Sequence, residues 1–148
     1  MGILVREMQV SDRAAWAQMR SALWPDETKA AHAEMIETLL RSKDAWGFIA
    51  EMDGTPAGFA ELAIRDYANG CDIAPVPFLE GIWVSPLRRR QGIGARLIVH
   101  IEAFVRARGF CEMGSDTPID NCASQAAHRS WGFSETERVV YFRKRLKA

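Results

Sequence analysis

The stretch "FLEGIWVSPLRRRQGIGARLIVHIEAFV", residues 78–105, contains the strand, turn and helix around which the fold is predicted to form. "FLEGIWV" (78–84) is the most strand-like run of the chain, and a helical face of apolar residues begins at Ile93. Between them three arginines run directly into two glycines, Gly92 and Gly94. Glycine costs a helix about 1 kcal/mol relative to alanine, and adjacent like charges repel. A turn that contains both unfavourable features is predicted to bind a ligand.

The glycine-rich turn predicts a binding site for phosphate or pyrophosphate. A helix N-terminus presents unsatisfied N–H groups and a partial positive charge, and glycines let an anion approach them closely. A nucleotide-binding Walker loop requires Gly-Lys-Ser/Thr, which is absent, and a dinucleotide fingerprint requires a third glycine, whereas "ARLI" follows Gly94. The alternative is a solvated basic turn whose glycines serve only helix–strand packing.

Periodicity along the rest of the chain predicts one α/β domain over residues 1–148. The element order is β-α-α-β-β-β-α-β-α-β, which indicates a mixed central sheet with helices on both faces. The long loop at 66–77 is of a length that is often functional. The predicted strands are 3–8, 46–52, 56–65, 78–84, 110–116 and 135–146, and the helices are about 12–24, 28–42, 93–108 and 121–131.

Composition limits the class of protein. Hydrophobic residues make up 48% and charged residues 26% of the 148 residues, which is typical of a globular domain. No apolar run could span a bilayer, and charge at Arg6 and Glu7 comes too early for a signal peptide. Three scattered cysteines lack metal-ligand spacing and suit a reducing cytoplasm. Since 19 basic and 19 acidic residues balance, nucleic-acid binding is disfavoured. A cytoplasmic protein without metal, membrane or nucleic-acid partners is expected.

The turn also resembles a family signature. Arg89-x-x-Gly92-x-Gly94 after an apolar strand is similar to the acetyl-CoA motif of the GNAT N-acetyltransferases, and the likeness extends to the helix that opens at Asn121. Over nearly the whole chain the element order matches that family. The helix from Asn121 ends in "HRSWGF" (128–133), where the GNAT family usually shows Tyr-x-x-x-Gly-Phe. A closer resemblance, to the compact dimeric branch of aminoglycoside 6'-N-acetyltransferases, is carried by "LWP" (23–25), "DYANGCD" (66–72), "FLEGIWV" (78–84), "SDT" (115–117) and "GFSETERVVYFRKR" (132–145).

The resemblance implies which residues contact acetyl-CoA. Asn121 and Ser124 would be polar partners of the pantetheine arm, although an exposed helical serine is an equal interpretation of Ser124. The remaining donor contacts would come from the strand and the turn, at Ile82, Trp83, Val84, Arg89, Arg90, Gln91, Gly92, Ile93 and Gly94.

The same resemblance implies a polycationic amine as acceptor, for which ionised carboxylates would form the site. Glu80 lies inside an apolar strand, so it must either line a wet cleft or be salt-bridged. Asp116 follows a strand, where α/β sheets place sites, or else it caps a turn. The acceptor candidates are Trp24, Tyr67, Asp72, Glu80, Asp116 and Glu137.

The implied chemistry is direct transfer of the acetyl group to a neutral amine, with Glu80 or Asp116 taking a proton directly or through water. His128 stands where the family often has a tyrosine that protonates the leaving sulfur. Histidine can do that, or it lines the pantetheine channel. The chain departs from the family's usual ending too, because one strand follows Gly132 where many relatives have two. An open sheet edge favours pairing with a second chain, so a homodimer is expected.

Two further classes of function stay open at this point. A GNAT enzyme could act on another amine, such as a polyamine, an amino acid or a protein N-terminus. Outside the enzymes, the chain could be an acyl-CoA-binding sensor or a nucleic-acid binder that uses the basic turn. Intact candidates for a base argue against the sensor, and the neutral net charge argues against nucleic acid.

Overall fold

The computed structural model describes residues 2–148, which divide into two compact units. The first ends at Asp116 and the second comprises Thr117–Ala148. The first unit holds the whole sheet and three of the four α-helices. Its elements are β1 (Ile3–Glu7), α1 (Arg13–Leu23), α2 (Lys29–Arg41), β2 (Ala45–Met52), β3 (Thr55–Arg65), β4 (Val76–Val84), α3 (Ile93–Ala107) and β5 (Gly114–Ser115).

The sheet is mixed, as predicted. Strands β1 to β4 pair antiparallel in chain order, and β5 adds to β4 in parallel. The β2–β3 hairpin turns at Asp53 and Gly54, both of which have positive φ, at 52° and 78°. This is the conformation that an Asp-Gly hairpin turn requires.

Helices cover both faces of the sheet. On one face Trp16, Met19 and Ile36 from α1 and α2 pack with Ile49 and Phe59 of the strands. On the other face α3 buries one side, formed by Ile93, Leu97, Ile98, Ile101 and Val105. At Gly58 an added Cβ would lie 2.7 Å from the carbonyl oxygen of Trp83 and 3.3 Å from the side chain of Ile93, so glycine allows this close packing. The predicted fold class is confirmed.

An ion-pair network ties the edge strand β1 to its neighbours. Arg6 donates to both carboxylate oxygens of Asp12, at 2.8 and 3.0 Å, and to Glu51 at 2.9 Å. Asp12 also accepts the backbone N–H of Gln9 at 2.7 Å. The hydrogen bonds from Arg6 lower the pKa of the Asp12 carboxyl. The network therefore holds the start of α1 against the sheet most strongly above the ordinary pKa of aspartate, and its contribution falls as acid protonates Asp12.

The strand predicted at 110–116 is much shorter in the structure. Only Gly114 and Ser115 pair with β4. The carboxylate of Glu112 instead accepts the backbone N–H groups of Asp72 and Ile73, at 2.8 and 3.0 Å. This part of the chain therefore holds the preceding loop rather than extending the sheet.

The second unit contains α4 (Cys122–Ser130), capped by Asn121, whose side chain accepts the N–H of Ser124 at 3.1 Å. The strand predicted at 135–146 is wrong for this single chain, because residues 133–148 form neither helix nor strand. A β-strand needs a neighbour for its backbone hydrogen bonds, and this segment is exposed, Phe142 to 93%. Among residues 2–148, no helix has both the length and the apolar character needed to cross a membrane.

Candidate active site

The sheet opens where β4 and β5 separate. β5 pairs with β4 only at Phe78 and Leu79, whereas β4 continues to Val84. Within the described first unit, β4 pairs along its remaining length only with β3. The other edge of 80–84 therefore has no neighbouring strand in this unit, and backbone groups other than the Val84 carbonyl, which a side chain of the following turn binds, can face a ligand.

A β-bulge lies at the start of this open edge. Glu61 of β3 is opposite Gly81 and the next residue, Leu62, is opposite Leu79, so Glu80 is an extra residue in β4. A bulge bends its strand and redirects the local backbone, and bulges are common beside active sites. The predicted donor-binding segment, Ile82 to Val84, follows directly.

The turn after β4 has the geometry of an anion site. Gly92 caps α3 in the left-handed conformation, with φ of 86°, and no side chain caps the helix. Apart from the adjoining backbone and the two neighbouring residues, no atom lies within 4 Å of the position that a Cβ of Gly92 would occupy, so there is open space beside the start of the helix. Arg89, exposed beside it, donates through Nε to the carbonyl of Val84 at 3.1 Å, which joins the turn to the end of β4. The residues present fit a pyrophosphate group.

Two of the predicted carboxylates flank the point where the strands separate. The last β4–β5 pair is Leu79 with Ser115, and the strands are parallel. Glu80 and Asp116 are therefore the residues that directly follow this last pair, so both candidates lie beside the point of separation. Asp116 is exposed.

Glu80 is salt-bridged, one of the two interpretations that the sequence left open. Its oxygens accept hydrogen bonds from Nε and a terminal nitrogen of Arg65, both at 2.8 Å, and its side chain is 31% exposed. The guanidinium of Arg65 lies 3.6 Å from the ring centre of Phe78. Because a carboxylate has two lone pairs on each oxygen, this ion pair leaves acceptor capacity on Glu80.

Trp24 lies against the same part of β4. It caps the C-terminus of α1, and its half-buried indole touches the backbone at Gly81. A Cβ at Gly81 would lie 2.5 Å from Cζ2 of Trp24, so only glycine allows the ring this position. Trp24 therefore contacts the residue next to Glu80.

The loop 66–75 carries two further candidates at the surface. Tyr67 is 72% exposed, and Asp72 is exposed too. The loop is held by Glu112 through the N–H groups of Asp72 and Ile73. Sequence reasoning missed Glu112, since one carboxylate within an apparent strand gave no signal of a contact 40 residues away.

In the second unit, His128 is fixed by its own helix. Its Nδ1 lies 2.7 Å from the carbonyl oxygen of Ser124, so Nδ1 carries the hydrogen and donates it. The hydroxyl of Ser124 is 3.4 Å from the same nitrogen, and the ring packs on Trp131 and Phe133. A neutral His128 thus has its lone pair on Nε2, and it must be protonated there to act as an acid. Glu137 is exposed.

Metal ligands do not converge in the described part of the chain. Among residues 2–148, no three His, Cys, Asp or Glu side chains are grouped so that they could hold an ion. The chemical groups near the opening are carboxylates, an indole, open strand backbone and the glycine turn at the start of α3.

Comparison with known proteins gives close relatives over almost the full length. The model of the acetyltransferase (GNAT) family matches residues 15–133. The chain is 42% identical over 142 residues to the aminoglycoside N(6')-acetyltransferase type 1 of Salmonella enteritidis, covering 95% of this chain and 98% of that protein. It is 45% identical over 134 residues to the protein of the same name from Serratia marcescens, covering 89% and 92%.

Solved structures agree with these matches. A structure of AAC(6')-Iy in complex with the bisubstrate analogue CoA-S-monomethyl-acetylneamine superposes with a TM-score of 0.94 at 40% identity, covering 99% of this chain and 100% of that one. The aminoglycoside 6'-N-acetyltransferase AAC(6')-Ih from Acinetobacter baumannii superposes with a TM-score of 0.92 at 35% identity, covering 99% and 100%.

Proposed function

Because the chain belongs to the acetyltransferase (GNAT) family, we propose that it transfers the acetyl group of acetyl-CoA to the 6'-amine of aminoglycosides, a reaction that would confer resistance to these antibiotics. The observation that carries this proposal is the separation of β4 from β5, which leaves strand backbone open before the Gly92 turn, with Glu80 and Asp116 directly after the last residue pair of the two strands. The chain is 42% to 45% identical to aminoglycoside 6'-N-acetyltransferases over most of its length, and this similarity supports the choice of acceptor.

Acetyl-CoA would be held along β4 and at the turn that follows it. The backbone of Ile82, Trp83 and Val84 would bind the pantetheine arm, together with Asn121 and Ser124 of the second unit. The pyrophosphate would be bound by the turn, at Arg89, Arg90, Gln91, Gly92, Ile93 and Gly94. The bound molecule supplies an activated acetyl thioester.

The acceptor side would bind a polycationic sugar. Its ammonium groups would be attracted by carboxylates that stay ionised at neutral pH, and its rings would pack on aromatic side chains. The residues proposed for this role are Trp24, Tyr67, Asp72, Glu80, Asp116 and Glu137.

The reaction would proceed by direct attack of the amine while donor and acceptor are bound together. An ammonium ion cannot attack, so Glu80 or Asp116 would take its proton, directly or through water. A backbone N–H beside the β4 bulge would stabilise the developing oxyanion. His128, protonated at Nε2, would donate to the leaving sulfur. Much of the acceleration would come from holding the two reactants together.

The two compact units are proposed to act as one acetyltransferase domain over residues 1–148. The family match at 15–133 crosses the boundary after Asp116, which supports this assignment. We also propose a cytoplasmic location, in keeping with three cysteines that form no disulfide in the described structure.

The acceptor class is tested by measuring thiol release from acetyl-CoA with the purified protein and a panel of amines. We expect turnover with aminoglycosides that carry a 6'-amine and little with analogues that carry a 6'-hydroxyl, because only the amine can attack. Polyamines and peptides are the comparison arms. Faster turnover of a polyamine or a peptide would identify a GNAT enzyme of another acceptor class.

The phosphate-binding role of the turn is tested by Gly92→Val, which we expect to weaken acetyl-CoA binding at least tenfold. The added side chain would occupy space beside the N-terminus of α3, where the pyrophosphate is proposed to bind. Loss of one hydrogen bond to the charged phosphate would alone reduce the binding free energy by about 1.5 to 3 kcal/mol. Calorimetry gives the affinity. Gly109→Val is the matched control, because Gly109 has the same φ of 86° with open space around it, at the other end of α3. Equal affinities for the two variants would refute the assignment.

Kinetics separate the roles of the two carboxylates. If Glu80 is the base, Glu80→Gln lowers kcat by about 100-fold or more and flattens its rise with pH. Asp116→Asn should both raise KM for the aminoglycoside and lower kcat, because this residue contributes to binding as well.

Glu102→Gln is the control for these changes, since Glu102 lies on the exposed side of α3, paired with Arg106. If Glu80→Gln keeps full turnover and an unchanged pH profile, Glu80 is not the base, and Asp116 or bound water becomes the better candidate.

A homodimer is proposed on the basis of the exposed C-terminal segment. Val139, Val140, Tyr141 and Phe142 form a run of large apolar residues, exposed to 47%, 78%, 79% and 93%. Such a run with open backbone groups suits strand pairing with a second copy.

Light scattering at micromolar concentration should give about twice the 16.6 kDa of the chain. Phe142→Glu should weaken the dimer. Val99→Glu is the control and should not weaken it, because Val99 is an exposed apolar residue on α3, away from this segment in sequence. A monomeric wild type would refute the proposal.

A further inference from the structure

Three polar side chains are buried between α1, α2 and β3. Arg20, Glu61 and His32, here called the Arg20 cluster, are exposed to only 4%, 4% and 0%. Burying an ion pair adds little net stability, because desolvation of the two charges offsets their attraction, and an apolar pair of the same volume often serves as well. Net stability therefore does not explain the Arg20 cluster, and we consider whether it fixes the positions of neighbouring groups.

The hydrogen bonds of the Arg20 cluster leave its members little freedom. One terminal nitrogen of Arg20 donates to both carboxylate oxygens of Glu61, and Trp16 donates its indole N–H to the same carboxylate at 2.8 Å. Nε of Arg20 donates to Nδ1 of His32 at 3.1 Å. Among the described residues, every buried side-chain nitrogen and oxygen has a partner. Such a fully satisfied network specifies one arrangement.

The donor from Arg20 fixes the tautomer of His32. Arginine has only donors, so Nδ1 of His32 must accept and the hydrogen of the neutral ring lies on Nε2. Nε2 is 3.1 Å from the backbone carbonyl oxygen of Trp24 and therefore donates to it. His32 thereby joins α2 to the C-terminal end of α1.

The side chain of Trp24 is held by the same cluster. The guanidinium carbon of Arg20 lies 4.6 Å from the ring centre, a cation–π contact. The ring meets Phe59 edge-on at 6.1 Å and lies against the β4 backbone at Gly81, the residue after the bulge. Arg20 thus contacts the indole of Trp24, and His32 bonds the backbone of the same residue. Trp24 itself borders the opening of the sheet.

We propose that Arg20, Glu61 and His32 are positioning residues that hold Trp24 as a rigid wall of the acceptor site. The inference rests on the proposed function, because it assigns Trp24 to the binding of the aminoglycoside. A fixed aromatic ring binds a sugar more tightly than a mobile one, since less side-chain entropy is lost on binding. The Arg20 cluster should therefore set the affinity for the acceptor and leave the affinity for acetyl-CoA unchanged.

Replacement of His32 gives the sharpest test. His32→Leu removes both hydrogen bonds, whereas His32→Gln can accept from Arg20 with its oxygen and donate to the Trp24 carbonyl with its nitrogen. We expect His32→Leu to raise KM for the aminoglycoside about tenfold, with kcat and acetyl-CoA affinity within about twofold of wild type, and His32→Gln to restore most of the loss. Arg13→Gln is the control, because Arg13 and Glu37 form an exposed ion pair that also links α1 to α2.

A double-mutant cycle shows whether the effect passes through Trp24. In a Trp24→Ala background, His32→Leu should have no further effect on KM, because coupled residues are not additive. If His32→Leu does not fold, Glu61→Gln answers the same question, since its amide nitrogen faces the donors of Arg20 or Trp16. An increase in KM that persists without Trp24, or that Arg13→Gln reproduces, would overturn the proposal.

A measurement without substrate separates this proposal from the proposed function. The indole N–H signal of Trp24 in a ¹⁵N-correlated spectrum, assigned by its absence in Trp24→Phe, should shift or broaden in His32→Leu and not in Arg13→Gln. An unchanged Trp24 signal would overturn the positioning role even in an active enzyme. A perturbed signal in a protein that acetylates no aminoglycoside would refute the proposed function and leave the positioning of Trp24 established.

Discussion

The early separation of β5 from β4 is the constraint on which the rest of the site depends. Two residues of β5 pair with β4, and the chain then leaves the sheet while β4 continues to Val84. A strand edge in the interior of a sheet is normally satisfied by its neighbour, so an edge left open over several residues is a place for a ligand's hydrogen-bonding groups. The bulge at Glu80 falls at that point and bends β4 as it begins to run alone.

In the proposed reaction, the elements around this opening would bind the donor and the acceptor in different ways. The proposed donor side consists of backbone: a strand edge, a left-handed glycine and the N-terminus of a helix of 15 residues. Such features bind a pyrophosphate and an amide-containing arm whatever the surrounding side chains, which explains how one fold serves many acceptors. The proposed acceptor side consists of side chains on three separate elements, namely Trp24 after α1, Glu80 in β4 and Asp116 after β5. Its specificity therefore depends on how those elements pack.

Packing around Trp24 illustrates this dependence. The same residue meets a guanidinium, an aromatic edge and a glycine backbone, each from a different part of the chain. Glu80 is likewise oriented by Arg65, 15 positions earlier on the neighbouring strand. The contacts of Trp24 with Phe59 and Gly81, and of Glu80 with Arg65, are long-range, so tertiary packing orients the side chains at the opening.

The sequence by itself determined most of the first unit. Apolar periodicity, the Asp53-Gly54 turn and the glycines after the arginines are local signals, and the structure forms the hairpin, the strand β4 and the helix α3 at the predicted places. Local chemistry also predicted an anion site at the turn, because the helix N-terminus and the glycine on which that prediction rests are adjacent in sequence. Only the tertiary structure decided the length of β5 and the fate of 135–146, since a strand exists through its partner and not through its own alternation of residues. It alone revealed that Glu112 holds the loop, that Arg65 pairs with Glu80 and that Arg20 bonds both Glu61 and His32 in a buried cluster beside Trp24. Those contacts join residues 12 to 41 positions apart, and no local pattern encodes which distant side chain will neutralise a buried charge.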